Sequence, residues 1–250
     1  MTKIILSGCL GRMGKAITEI VENIKDAEIV CGFDVAQGER SYPVYSDYQG
    51  VSVDADVIID FSHPSNFENI LSFAKANNLP IVVATTGLTA EQKDELKAAA
   101  DIIPVFFSAN MSLGINLLIR LAKMATKVLE KDFDIEIVEK HHNKKLDAPS
   151  GTALAIADAI ADTMSNDAKY VYERQSVRRQ REKSEIGIHA IRGGTIVGDH
   201  DVLFAGPDEV ITLSHSAASR EVFAQGAVKA GMFMKGKPKG FYCMDDLFNE

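Results

Sequence analysis

In the N-terminal part of the chain, short apolar runs alternate with longer segments whose apolar residues recur at helical spacing. The helical spacing occurs at 17–24, 67–74 and 90–100. The short runs are rich in Ile and Val and predict strands at 3–7, 28–33, 56–61, 80–84 and 102–107. Strands that alternate with helices of this length imply right-handed crossovers. The pattern therefore predicts an α/β fold with a doubly wound, Rossmann-type parallel sheet.

The pattern changes in the C-terminal part. A long amphipathic helix is predicted at 113–129, then a strand at 133–138 and a helix that Ser150 caps and that runs to about Met164. Consecutive strands with short connections follow, at 186–191, 195–197, 201–205 and 210–216. Strands joined in this way pair antiparallel, which predicts a second, α+β domain with a mixed, mostly antiparallel sheet.

These patterns divide the chain into two domains. Residues 1–112 form the first domain, and the helical segment at 219–234 and the aromatic tail after it are expected to return to it, so that 221–250 completes that domain. Residues 113–220 form the second domain. Its sheet is open and alternates apolar residues on both faces, which predicts oligomerisation with further copies of the chain through this sheet.

The composition narrows the classes of function. A formal net charge of −8 and a pI near 5.3 argue against a general nucleic-acid binder. Cys9, Cys31 and Cys243 are scattered without metal-ligand spacing, which indicates free thiols in a reducing compartment. No apolar run reaches the roughly 18 residues of a membrane span, and the N-terminus lacks an apolar signal-peptide core. We therefore expect a soluble, cytoplasmic protein without nucleic-acid or membrane partners.

A glycine-punctuated turn, 8–14, lies between the first strand and the first helix. Such a turn brings backbone amides and a helix N-terminus to a pyrophosphate. Its spacing is GxxGxxG, not GxGxxG, so a tight turn without a ligand stays an alternative. Asp34 ends the second strand, where a carboxylate can accept hydrogen bonds from ribose hydroxyls and repel a 2′-phosphate. Val35 adds no cation, which favours NADH, although Arg12 could still reach a phosphate.

The stretch 139–152 concentrates proton carriers before a small-residue turn that opens a helix. His141, His142 and Lys145 could bind an anionic substrate and transfer a proton, and the amides of 150–152 could hold a carboxylate. A metal site is disfavoured, because lysines crowd the histidines and no HExxH or CxxC spacing is present. A solvated basic loop followed by an ordinary capped helix is the third interpretation.

Several other polar positions keep two interpretations open. His63 could lie near a nicotinamide or pack in a loop, and Arg220 could neutralise a substrate carboxylate or seat a crossover between domains. The arginine-rich block at 174–183 is interpreted as a solvated loop, with a substrate-side role for one arginine still open. Three further histidines are interpreted as packed strand residues: His189, His200 and His215.

The residues from Glu139 to Ala153 resemble the motif E-x-H-H-x-x-K-x-D-A-P-S-G-T-A of the 4-hydroxy-tetrahydrodipicolinate reductase family, also called the dihydrodipicolinate reductase family. Supporting motifs cover most of the chain: the GxxGRMG turn, Asp60-Phe61-Ser62 with Pro64, Ala84-Thr85-Thr86-Gly87, 107–112, Arg192-Gly193-Gly194 and Ser219-Arg220. The chain departs from part of the family at Asp34-Val35, where members that favour NADPH can carry Glu-Arg, and at His63, where some carry Arg.

The resemblance implies an oxidoreductase that reduces dehydrated 4-hydroxy-tetrahydrodipicolinate with NADH or NADPH, in lysine biosynthesis by the diaminopimelate route. It also implies a homotetramer assembled through the second sheet, and no metal. His141 is implied as proton donor or acceptor and Lys145 as second proton donor. The implied substrate-binding residues are His142, Ser150, Gly151 and Thr152. The implied cofactor-binding residues are Gly8, Cys9, Leu10, Gly11, Arg12, Met13, Asp34, Ala84, Thr85, Thr86, Ser108, Ala109, Asn110 and Met111.

Two other functions remain open from the sequence. A different dehydrogenase on the same two-domain plan would share the glycine turn, but it has no need of the whole 139–152 stretch. A dinucleotide sensor would bind NADH without oxidising it, and its basic loop would not need paired proton donors.

Overall fold

The structure is a computed structural model that describes residues 1–248. The strands are β1 (Thr2–Ser7), β2 (Ala27–Phe33), β3 (Val44–Tyr45), β4 (Val57–Asp60), β5 (Ile81–Val83), β6 (Pro104–Phe107), β7 (Asp134–His141), β8 (Lys169–Val171), β9 (Glu185–Arg192), β10 (Gly198–Ala205), β11 (Val210–Ala217) and β12 (Gly240–Tyr242). The α-helices are α1 (Arg12–Glu22), α2 (Phe67–Ala76), α3 (Ala90–Ala99), α4 (Leu113–Leu129), α5 (Gly151–Ala161) and α6 (Glu221–Met234), and short 3₁₀ helices span Pro64–Asn66 and Met244–Phe248.

The chain forms two compact units. Unit 1 contains Met1–Leu113 and the chain from Glu221 onward, and unit 2 contains Gly114–Arg220. Within the described residues, no helix is long and apolar enough to cross a membrane.

Unit 1 is built on a seven-stranded sheet with the order β12-β6-β5-β4-β1-β2-β3, and every pair in it is parallel. The predicted doubly wound parallel sheet is thus confirmed. The order reverses between β1 and β4, because the chain leaves β1 toward β2 and later returns to the other side of β1. In such sheets, ligands bind outside the carboxyl ends of the strands at this reversal.

Alternating strand residues divide the core of unit 1 into two layers. Ile4 and Ile59 pack with α1 and α6 on one face, whereas Ile5 and Ile58 pack with α2 and α3 on the other. Successive strand side chains point to opposite faces, so strands that are buried on both sides read as continuous apolar runs. This is why the short Ile- and Val-rich runs of the sequence identified these strands.

Unit 2 has a five-stranded mixed sheet with the order β11-β10-β7-β9-β8. Strand β10 pairs antiparallel with β11 and with β7, whereas β7 with β9 and β9 with β8 pair parallel. Helices α4 and α5 cover one face through an apolar core that includes Ile137, Ile156 and Phe204. The mixed, mostly antiparallel sheet is confirmed.

Three local predictions in unit 2 are wrong. The strand predicted to end at Val138 runs on to His141, so His141 lies on a strand and not on a loop. Residues 195–197 are not a strand, and β10 begins at Gly198. Strands β9 and β10 are consecutive but do not pair, because β7 lies between them and hydrogen-bonds to both.

The arginine-rich block at 174–183 is an exposed loop, as interpreted from the sequence, but several of its cations are paired. Arg174 donates to Glu185 at 2.6 Å and to Glu136 at 2.8 Å, and Arg181 donates from Nε to Glu136 at 3.0 Å. Glu185 is fully buried, and the hydrogen bond from Arg174 is the main cause that lowers the pKa of Glu185 to about 2. The arginines therefore fasten this segment to β7 and β9.

Candidate active site

The glycine turn after β1 has a backbone that only glycine fits. Gly8 has φ +79°, and a Cβ there would lie 2.6 Å from the Phe61 carbonyl oxygen. A Cβ on Gly14 would lie 2.3 Å from the Gly8 carbonyl oxygen, so the first turn of α1 packs directly on the turn. The amides at the start of α1 consequently lie beside the carboxyl end of β1, at the reversal point of the sheet.

Asp34 lies next to this turn. Its carboxylate accepts hydrogen bonds from the backbone amides of Leu10 at 2.8 Å and Ala36 at 3.0 Å. A cavity of about 250 Å³ opens beside Asp34, and its walls also include Gly8, Tyr48 and His63. Residues at the carboxyl ends of β1, β2 and β4 thus line the cavity. The glycines let a pyrophosphate come close to the backbone of the turn. The fixed carboxylate beside the cavity can accept hydrogen bonds from a ribose. Together, these features fit a dinucleotide.

Two side chains at this edge were given no role from the sequence, although Asp60 was part of a quoted motif. Arg40 donates from Nε and Nη2 to the Cys9 carbonyl oxygen at 3.1 and 3.0 Å. Arg40 thus places a cation on the glycine turn. Nothing in the sequence of the connection between β2 and β4 indicated this contact. Asp60 is 1% exposed and accepts a 2.6 Å hydrogen bond from Thr85 Oγ1, so it ties the loop after β5 to the end of β4.

The remaining predicted cofactor-binding residues follow β5 and β6. The loop after β6 is held by its own polar groups, since Ser108 Oγ donates to the Asn110 carbonyl at 2.8 Å and Asn110 Oδ1 accepts from the Ser112 amide at 2.8 Å. His63 caps the 3₁₀ helix that begins at Pro64, with its Nδ1 3.2 Å from the Ser65 amide nitrogen. In unit 1, the structure therefore brings the predicted groups to one edge of the sheet.

In unit 2, the strand β7 carries two polar residues on the face that the helices cover. Glu139 is fully buried and His141 is 9% exposed. Residues two apart on a strand share a face, and His141 Nδ1 lies 2.6 Å from Glu139 Oε2. Across the sheet, a Cβ on Gly198 would lie 3.0 Å from His141 Nε2. A side chain at this position would press against the imidazole.

The Glu139 carboxylate is held by groups from three other points of the fold. Arg192 donates to its two oxygens from Nη1 and Nη2, each at 2.7 Å, and the Ser150 amide donates to Oε1 at 2.9 Å. Burial alone would raise the pKa of Glu139, but the hydrogen bonds from Arg192, His141 and Ser150 outweigh it and hold this pKa below its ordinary value. Glu139 is therefore a buried carboxylate that stays charged.

Ser150 caps α5, as predicted. Its Oγ accepts a 3.1 Å hydrogen bond from the Ala153 amide and lies 3.0 Å from His200 Nε2. The next residues, Gly151 and Thr152, form the first turn of α5, and the N-terminus of a helix favours an anion. Burial of the His200 ring, together with the charge of His141, lowers the pKa of His200 to about 4.

Lys145 lies on the loop between β7 and α5. Its ammonium group is 2.8 Å from Asp147 Oδ1, and this hydrogen bond is the main cause that holds the pKa of Asp147 below its ordinary value. Arg192 Nη2 also donates to the Asp147 carbonyl at 2.7 Å, and the His142 carbonyl accepts from the Lys145 amide at 3.1 Å. The predicted catalytic and substrate-binding residues thus cluster at one end of β7 and α5.

Comparisons with known proteins agree over the whole chain. Residues 2–111 match the family model described as "Dihydrodipicolinate reductase, N-terminus", and residues 114–248 match "Dihydrodipicolinate reductase, C-terminus". The chain belongs to the dihydrodipicolinate reductase family. The resemblance found in the 139–153 motif is thereby confirmed.

Individual members of the dihydrodipicolinate reductase family are also similar. The 4-hydroxy-tetrahydrodipicolinate reductases of Caldanaerobacter subterraneus subsp. tengcongensis and Clostridium novyi are 53% and 50% identical to this chain, each over 99% of it and 98% of the relative. The solved structure of a dipicolinate-bound dihydrodipicolinate reductase from Paenisporosarcina sp. TG-14 has a TM-score of 0.82, with 26% identity and coverage of 97% of both chains.

Sequence reasoning missed three groups of the cluster in unit 2. Glu139 and Arg192 were quoted only as parts of motifs, and His200 was interpreted as an ordinary strand residue. The signal for Glu139 was its position two residues before His141, which puts both side chains on one face once the strand is known to continue. Nothing in the sequence indicates that Arg192 reaches Glu139. Within the described residues, no group of three or more His, Cys, Asp or Glu side chains could hold a metal ion.

The pKa of His200 predicts how stability depends on pH. Between its ordinary value of 6.5 and its folded value of about 4, the unfolded chain binds a proton that the folded chain does not. Stability should therefore fall as the pH falls through this window, by about 2 kcal/mol at pH 5 from this group alone. His200→Gln keeps a donor for Ser150 but cannot ionise, so it should lose correspondingly less stability between pH 7 and pH 5. Urea titrations at both pH values check this, and equal losses in the two proteins would contradict it.

Proposed function

We propose that this chain reduces the dehydrated form of 4-hydroxy-tetrahydrodipicolinate to tetrahydrodipicolinate with NADH or NADPH, as an enzyme of lysine biosynthesis by the diaminopimelate route. The observation that carries the proposal is His141, whose Nδ1 is bonded to a buried carboxylate while its Nε2 lies beside Gly198. A family member with this arrangement has a proton donor fixed beside a helix N-terminus suited to an anion.

The protein's own residues supply proton transfer and charge. When bound, NADH or NADPH supplies a hydride to C4 of the substrate ring, and this leaves an electron-rich enamine that must take up a proton. His141 donates this proton from Nε2, and Lys145 acts as second donor. Ser150, Gly151 and Thr152 at the N-terminus of α5, together with His142, bind the substrate carboxylates.

The cofactor is proposed to bind at the carboxyl edge of the sheet in unit 1. The family places a Rossmann-type nucleotide-binding domain here, and the glycine backbone, the Asp34 carboxylate and the cavity fit a dinucleotide. The proposed contacts are Gly8, Cys9, Leu10, Gly11, Arg12, Met13, Asp34, Ala84, Thr85, Thr86, Ser108, Ala109, Asn110 and Met111.

The direct test is cofactor oxidation in the presence of substrate made by a coupled synthase. Absorbance of the reduced cofactor should fall only when the synthase is active. If correctly folded protein oxidises neither cofactor, the function as a dinucleotide sensor replaces this proposal.

Cofactor preference is a separate prediction. Asp34 is held against the glycine turn with its carboxylate on the cavity wall, where it would repel a 2′-phosphate, and Val35 beside it offers no cation. We expect catalytic efficiency with NADH to be at least equal to that with NADPH. Arg40 on the glycine turn is the cation that could reverse this. An NADPH efficiency about tenfold higher would contradict the prediction, and Arg40→Leu would show whether Arg40 is the cause.

We further propose the domain roles, the assembly and the location that the sequence predicted. Residues 1–112 with 221–250 bind the dinucleotide, and 113–220 bind substrate and assemble a homotetramer in the cytoplasm. The uncovered face of the unit 2 sheet supports the assembly, because Val138 and Leu203 are only half-buried there and Ile191 is 46% exposed. Light scattering of the purified protein tests the tetramer.

A further inference from the structure

Glu139 has no part in the proton transfer described so far, although both of its carboxylate oxygens are hydrogen-bonded. It is completely buried, and its two oxygens accept hydrogen bonds from His141, the Ser150 amide and both terminal nitrogens of Arg192. A carboxylate is costly to bury, because its partners must offset the loss of its hydration.

The hydrogen bonds fix which nitrogen of His141 can transfer a proton. An ionised carboxylate only accepts, so His141 Nδ1 must be the donor in the 2.6 Å contact. The transferable proton is then on Nε2, the nitrogen beside Gly198. After transfer, His141 is left as the neutral tautomer with its proton on Nδ1, still bonded to Glu139.

Arg192 and the Ser150 amide in turn hold the carboxylate. The Arg192 guanidinium binds both oxygens, a geometry that fixes the plane of the carboxylate as well as its position. The charged and titratable groups around His141 are therefore Glu139 on its own strand, Arg192 on β9 and His200 on β10, whose ring centre is 5.3 Å from that of His141.

We propose that Glu139 is a positioning residue for His141: it accepts the bond from Nδ1, so that Nε2 carries the proton that reaches the substrate, and its negative charge stabilises the imidazolium before transfer. Glu139 itself is never protonated. This inference rests on the proposed function of His141 as proton donor, but the tautomer of His141 can be measured without any turnover.

The first experiment measures the ¹⁵N shifts of His141 in the wild-type protein and in Glu139→Gln. Neutral wild-type His141 should carry its proton on Nδ1. In Glu139→Gln the side-chain amide can donate, and the Nδ1-protonated population should fall. A wild-type His141 protonated on Nε2 overturns the proposal even if the variant does not fold, and an unchanged tautomer in a folded variant overturns it as well.

The second experiment is the pH profile of turnover. A general acid is active only in its protonated form, and a neighbouring negative charge stabilises that form, so the basic limb of the Glu139→Gln profile should move to lower pH. Turnover should fall by about 100-fold or more, with KM changed by less than about threefold. Glu139→Asp keeps the charge and should restore the limb toward its wild-type position. If the role of Glu139 were only structural, Glu139→Gln would lower the stability of the protein without moving the basic limb of its pH profile.

Glu136→Gln is the matched control. Glu136 lies on the same strand but on its opposite face, and it also contacts a histidine, His189 Nε2 at 2.8 Å, and arginines. The basic limb of the pH profile of Glu136→Gln should stay at the wild-type pH. If this limb moves as far as the limb of Glu139→Gln, the proposal is overturned. If the wild-type protein shows no reductase activity, the proposed function fails while the tautomer measurement still decides the role of Glu139.

Discussion

Replacing His141 with Gln is expected to lower turnover by about 10²- to 10⁴-fold while KM changes little. Gln fills a similar space but cannot donate a proton as imidazolium does, so the loss belongs to the transition state and not to substrate binding. The imidazole is fixed by Glu139 at 2.6 Å, so no other side chain can take its place without a rearrangement. Steady-state rates with saturating NADH and varied substrate provide the measurement.

Two companion variants sharpen this result. Lys145→Ala should raise KM and lower turnover together, because Lys145 is assigned both to substrate charge and to proton donation. His189→Gln is the control: it makes the same chemical change on the open face of the unit 2 sheet and should leave both constants near the wild-type values. Small and equal effects of His141→Gln and Lys145→Ala would refute the assignment of the pair.

Replacing Arg192 with Met is expected to destabilise the protein by about 3 kcal/mol or more at neutral pH. Arg192 supplies both hydrogen bonds of a charged pair whose carboxylate is fully buried. Its removal leaves that charge without its cationic partner and also frees the Asp147 carbonyl that Arg192 Nη2 binds. Urea-induced unfolding followed by circular dichroism measures the loss.

The double variant Glu139→Gln with Arg192→Met tests the cause. If the buried charge is responsible, removal of both partners should cost less than removal of Arg192 alone, because no charge is then left without a partner. Arg178→Met makes the same substitution at an exposed position and should change stability by less than about 0.5 kcal/mol. A double variant at least as unstable as Arg192→Met would show that packing, and not charge, accounts for the effect.

The features that the sequence predicted well depend on local rules. The parallel strands of unit 1 were evident because each is buried on both faces, and the glycine turn because Gly8 needs a positive φ next to a strand end. The cap at Ser150 was evident because the residue type and the helical pattern after it agree. In each case the physical cause lies within a few residues of its effect.

The end of β7 shows why the remainder could not be predicted. An apolar alternation identifies a half-buried strand, but at this end Glu139 and His141 occupy the positions that point into the core. Polar residues at core positions look like a loop unless their partners are known. Those partners, Arg192 and Ser150, come from other elements and become evident only in three dimensions.

The pairing of the arginine-rich loop at 174–183 could not be predicted for a related reason. Its charges were visible, but the buried Glu185 that Arg174 and Arg179 contact gave no sign that it is buried. A count of charges cannot tell a solvated arginine from one that holds a segment to a sheet. The long-range pairing of charge is thus the information that the sequence alone withheld, both in the candidate active site and here.

The return of the chain to unit 1 constrains the order in which the protein can be completed during synthesis. Helix α6 contributes Ala224 and Ala227 to the same core layer as Ile4, and β12 adds the edge strand beside β6. A ribosome that has translated as far as Arg220 has delivered all of unit 2 in one continuous stretch, whereas that layer of unit 1 still lacks its second helix. The unit that begins first is therefore completed after unit 2, and its apolar surface stays uncovered until α6 has been synthesised.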